Sequence, residues 1–142
     1  MISSRLLLPV LSAGLLAVPY LEPHLFPLAW LAFVPLFLSL QNAATLRRAL
    51  FDGWLMGLVA HVIGFHWLVY TISVFGGFPL ALSVPIFFAY AGLQAIQMAL
   101  FAWLIRSCGF GPLQIFPALF WVALEFLFPL LFPWHIDRKS VV

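Results

Sequence analysis

Apolar residues in this chain fall into five long blocks, and of the Asp, Glu, Lys and Arg residues only Glu125 lies within one. The blocks run from Leu6 to Tyr20, Leu25 to Leu40, Gly53 to Val74, Leu80 to Ile105 and Leu113 to Phe132. Unbroken apolar runs of this kind are the mark of helices that meet lipid on most of their surface. The pattern predicts an all-α membrane protein, a bundle of about five transmembrane helices. The first two are short: each falls below the ~20 residues that cross about 30 Å of hydrocarbon, and Pro9, Pro19, Pro27 and Pro35 interrupt them.

The clearest interval is FGGFP, Phe75 to Pro79, within HWLVYTISVFGGFP. No Asp, Glu, Lys or Arg occurs between Asp52 and Arg106, so a run of that length has only this place to turn. Gly76 and Gly77 supply backbone freedom, and Pro79 brings a φ suited to the first turn of the next helix. Gln41 to Asp52 reads as a polar loop carrying Arg47 and Arg48. Gly53 and Gly57 form a G-x-x-x-G that would let another helix approach closely.

Composition agrees with the pattern. Of 142 residues, 65% are hydrophobic and 7% charged, where a soluble domain carries about a quarter charged residues. The first block resembles a cleaved secretory signal, but more apolar segments follow it instead of a soluble domain. The pI near 9.1 comes from a few loop residues. Nucleic-acid binding would need clustered Lys and Arg, and only Arg47-Arg48 and Arg138-Lys139 are adjacent. With five spans, Arg5, Arg47, Arg48 and Arg106 share one side, while the 21–24 turn and FGGFP on the other carry no Lys or Arg. The positive-inside bias then predicts a cytoplasmic N-terminus, although Arg138 and Lys139 in the tail run against that count.

Candidate chemistry is sparse. Ionisable groups within membrane helices are costly unless partnered, which singles out His61, His66 and Glu125, with Gln94 and Gln97 on one helix face. His61 and His66 are five positions apart, about 140° around a helix, which makes a poor metal pair; no metal and no cofactor are expected. Counting from the predicted helix starts puts His66 about 20 Å and Glu125 about 18 Å deep, so these two are expected to pair, in a structural role or as a proton relay. Trp67, Tyr70, Phe75 and Phe78, with Phe128, Phe132 and Trp134, form an aromatic belt. It reads as interfacial anchoring or as a rim where acyl chains dock. G-x-S-x-G, H-E-x-x-H and P-loop signatures do not occur. The single Cys108 excludes an internal disulfide and lies beside Arg106, as a spectator thiol.

Several stretches together resemble a known family. PLAWLAFVPL (Pro27 to Leu36), GWLMG (Gly53 to Gly57), HWLVYTISVFGGFP and ALFWVALEFLFPLLFPW (Ala118 to Trp134) are similar, in order and spacing, to the N-terminal membrane region of apolipoprotein N-acyltransferases. The resemblance covers residues 1–136 and implies a multi-pass protein of the bacterial inner membrane. Its partners would be the bilayer, a phospholipid acyl donor and a lipoprotein substrate. The family moves an acyl chain from phospholipid to the α-amino group of diacylglyceryl-cysteine, through a cysteine thioester in a nitrilase-like domain. That domain would follow these helices, and no residue here matches its cysteine, glutamate or lysine, so the chain alone is expected to be inactive. Two departures stand out. Phe128 takes the place where the family usually has arginine, and residues 137–142 read as an atypical tail of a truncated or mis-joined frame. The alternatives are a stand-alone membrane binding or transport module, or an assembly subunit.

Overall fold

In the computed structural model, residues 2–109 and 115–131 are described, and among them every regular element is helical. The order is α1 (Ile2–Leu21), a 3-10 turn (Pro23–Leu25), α2 (Pro27–Leu31), α3 (Phe33–Gln41), α4 (Leu46–Gly64), α5 (Leu68–Gly76), α6 (Leu80–Cys108) and α7 (Ile115–Leu131). The chain is an all-α membrane protein. The stretch Pro23–Gln41 and α6 are long and apolar enough to cross a bilayer; α4 and α5, bent by 63° at their break, make a third if the pair counts as one span. Leu6–Leu21 and Phe116–Phe128 are shorter apolar helices. α1 continues as one helix past Pro9 and Pro19, a tolerance typical of membrane helices.

The core is a seam between α4 and α6. A Cβ added at Gly53 would collide with the Met98 carbonyl and lie 2.6 Å from Ala102 Cβ; one at Gly57 would lie 2.9 Å from Ala95 Cα. The G-x-x-x-G pair therefore does bring two backbones together, against a row of alanines. Trp54 Nε1 donates to the Gly92 carbonyl at 3.1 Å beside the seam. Phe33, Phe101 and Trp121 join α3, α6 and α7 through ring contacts at 5.5–5.6 Å.

The FGGFP turn forms as expected. Gly77 adopts φ +69°, which an L side chain resists, and the Phe78 carbonyl accepts from Ser73 Oγ at 3.1 Å. Pro79 sits one position earlier than expected, at the extended N-cap of α6.

Two expectations need correction. Helix α4 begins at Leu46, so only Asn42–Thr45 remains as loop. Thr45 caps α4 by accepting from the Arg48 N–H at 3.2 Å. The third span is also not one helix to Val74: it ends at Gly64 and resumes at Leu68. His66 Nδ1 donates to the Ile63 carbonyl at 2.9 Å within that break, satisfying a backbone group that the interrupted helix releases.

Candidate functional site

Among the described residues, two polar clusters stand out in the apolar bundle. The first ties α3 to the first turns of α4. Asp52 is buried, accepts from Ser39 Oγ at 2.7 Å, and lies 2.8 Å from Arg48 Nε, one helical turn away. The spacing explains the ion pair: residues four apart share a helix face. Nearby, Arg106 donates from Nε and Nη2 to the Ala43 carbonyl at 3.2 and 3.1 Å. This fastens the end of α6 to the α3–α4 loop and brings Arg47, Arg48 and Arg106 to one end of the bundle.

The second cluster lines an open cavity of about 580 Å³ to which all seven helices, α1 to α7, contribute side chains. Its apolar wall includes Leu16, Phe33, Phe65, Trp67 and Trp121; its polar groups are His61, Tyr90, Gln94, Gln97 and Glu125. His61 Nδ1 is 2.8 Å from the Gly57 carbonyl. A carbonyl only accepts, so Nδ1 carries the proton and Nε2 of the neutral ring is left as an acceptor. The ring stacks on Phe65 and meets Tyr90 edge-on. Gln94 Nε2 donates to the Tyr90 hydroxyl at 3.1 Å, and Gln97 Nε2 donates to Glu125 Oε1 at 2.8 Å.

Five of the residues expected to matter thus share one cavity: His61, Gln94, Gln97, Glu125 and Trp67. The expected His66–Glu125 pair does not form. His66 lies within the break and bonds to its own helix, and Glu125 is held by Gln97 instead. Tyr70, Phe75 and Phe78 are exposed on α5 and the turn, and none of them lines this cavity. Phe132 and Trp134 lie outside the described residues. Gly76 and Gly77 serve the turn, Gly77 through its positive φ. Among the described residues no group of three metal-ligating side chains occurs.

Sequence reasoning missed Asp52 as an interior residue. The signal was present in Thr45 followed by Arg48 and Asp52, a cap and an i,i+4 ion pair, but Arg47-Arg48 drew the stretch into a loop.

Residues 12–136 match the family model described as the apolipoprotein N-acyltransferase N-terminal domain. The chain belongs to this family. An apolipoprotein N-acyltransferase of Geobacter metallireducens is 34% identical over 134 residues, covering 90% of this chain and 25% of that protein. One from Bdellovibrio bacteriovorus is 30% identical, over 77% of this chain and 21% of the relative. One from Vibrio parahaemolyticus is 36% identical, over 66% and 18%. The chain therefore spans a quarter or less of the length of these acyltransferases. No solved structure matches it.

Proposed function

We propose that this chain is the membrane-embedded, lipid-holding part of an apolipoprotein N-acyltransferase, seated in the bacterial inner membrane as a multi-pass domain with its N-terminus in the cytoplasm. The family reaction would move an acyl chain from phospholipid to the amino group of a diacylglyceryl-cysteine lipoprotein. In this reading the helices hold lipid and supply no reacting group. The observation that carries it is the aromatic-walled cavity, whose volume lies within the roughly 300–1,000 Å³ usual for ligand sites. The orientation is supported by Arg47, Arg48 and Arg106 meeting at one end, with FGGFP, free of charge, at the other end of α6.

Thioester chemistry needs an activated thiolate, a neighbouring base and donors for the oxyanion. Cys108 is exposed at the last turn of α6, eleven residues or about 16 Å along the helix from Gln97. No His, Asp or Glu bonds to it among the described residues. The test is to reconstitute the purified chain with phospholipid and a diacylated lipopeptide. The expected result by mass spectrometry is retained phospholipid and no third acyl chain on the peptide. A triacylated product, or a chain that retains no lipid, overturns the reading.

A further inference from the structure

The end of the bundle opposite FGGFP carries charge that the fold does not answer. Arg48 is paired with Asp52 at 2.8 Å, and Asp52 is only 1% exposed, so these two cancel. Arg106 is placed differently. Its Nε and Nη2 donate to the Ala43 carbonyl, which fixes the half-buried guanidinium but brings no opposite charge. Arg47 is exposed, one position before Arg48. Among the described residues neither Arg106 nor Arg47 has an ion pair. Beside them lies a second cavity, of about 480 Å³, lined by Leu8, Ser39, Asn42, Ala43, Arg48 and Asp52.

A guanidinium held by a neutral acceptor keeps its charge and its outer N–H groups for an anion, and phosphate oxygens suit that fork. The surroundings add a second demand. Leu46 and Phe51 are exposed on α4 next to the arginines, and the Arg48 guanidinium lies 5.7 Å from the Phe51 ring centre. Exposed apolar side chains beside unanswered charge suit a ligand that joins phosphate to hydrocarbon.

We propose that the loop 42–45, with Arg47, Arg48 and Arg106, is a binding site for the headgroup of an anionic phospholipid. Three arginines against Asp52 leave a net charge of +2, so a head whose own ammonium offsets its phosphate binds less well. The site is separate from the aromatic-walled cavity: Arg106 lies nine residues, about 14 Å along α6, beyond Gln97. It does not depend on the function proposed for that cavity. A lipid seated here touches α4 and α6 together and strengthens the hold of Arg106 on the α3–α4 loop.

The experiment uses the whole chain in nanodiscs of phosphatidylglycerol and phosphatidylcholine, mixed equally and with identical acyl chains. Native mass spectrometry counts the retained lipid. The expected result is a preference for phosphatidylglycerol of about tenfold, the scale of one or two basic side chains beside anionic lipid. Arg106→Gln and Arg47→Gln are each expected to reduce it about fivefold, with circular dichroism confirming the helices. Arg106→Lys keeps the charge without the fork and is expected to lose nearly as much. Excess glycerol phosphate is expected to leave the lipid in place; displacement would identify a soluble phosphate ester as the ligand and overturn the lipid assignment. Equal retention of the two lipids by the wild-type chain overturns the proposal, and so does a preference unchanged in both glutamine variants. Full preference in Arg106→Lys alongside loss in Arg106→Gln also overturns it, because diffuse charge would then suffice.

Discussion

Among the described residues, two carboxylates lie within this bundle, in opposite surroundings. Asp52 is closed off, with one oxygen against Ser39 and the other against Arg48, so its charge is answered inside the fold. Glu125 is exposed to an open cavity and touches a neutral amide. A charge that serves architecture is matched in sign, because breaking a buried pair is costly. A charge that can serve a ligand keeps an oxygen in reserve. The contrast extends to the helices: α4 and α6 are in backbone contact at Gly53 and Gly57, while at the cavity they meet through side chains, His61 and Tyr90 edge-on with ring centroids 6.5 Å apart.

The sharpest way to break this comparison is to wedge the closed half apart. Gly53→Leu would drive a side chain into the Met98 backbone, and we expect no folded bundle, read as loss of the monodisperse species in detergent. A normally folded variant would mean that the seam is looser than described. Next in size, Asp52→Ala removes the carboxylate that pairs with Arg48 and accepts from Ser39, and is expected to cost about 3 kcal/mol, measured by unfolding in mixed micelles; Asp52→Asn, which keeps an acceptor, should cost less. Gly77→Ala forces an L side chain to positive φ and should cost about 1 kcal/mol. At the small end, Glu125→Gln should change stability by no more than about 0.5 kcal/mol. A double-mutant cycle of Gln97 and Glu125 should give a coupling of about 0.6 kcal/mol, the scale of hydrogen bonds in membranes, whereas His66 with Glu125 should be additive. If Glu125→Gln instead destabilised the chain as much as Asp52→Ala, the division between a structural and an available carboxylate would collapse.

The FGGFP turn and the seam were legible in the sequence because each has a local cause. FGGFP sits alone in a chargeless run, and G-x-x-x-G exposes backbone wherever it occurs in a helix. The cavity was half legible: Glu125, His61, Gln94 and Gln97 stand out as polar groups among apolar neighbours. The wrong partner for Glu125 came from measuring depth along a straight helix starting at Gly53. With the start at Leu46 and a break after Gly64, His66 moves out of reach, and no proline between Gly53 and Val74 announces that break. Asp52 was misread because charge near a helix start resembles loop charge until its i,i+4 partner is counted.

Helix α6 carries one further consequence. Its 29 residues measure about 43 Å, against roughly 30 Å of hydrocarbon, while among the described residues the apolar stretches of α1 and α7 are shorter. Fully sinking α6 would take a tilt beyond the usual range of about 0–40°, so Arg106, Ser107 and Cys108 are expected to stand among the headgroups. Short and long helices packed side by side cannot all match one bilayer thickness. A thicker membrane should bring α6 more upright relative to α7, and the Gln97–Glu125 contact bridges those two helices. Distance measurements between spin labels on α6 and α7, in short-chain and long-chain lipids, would reveal whether membrane thickness sets the width of the cavity.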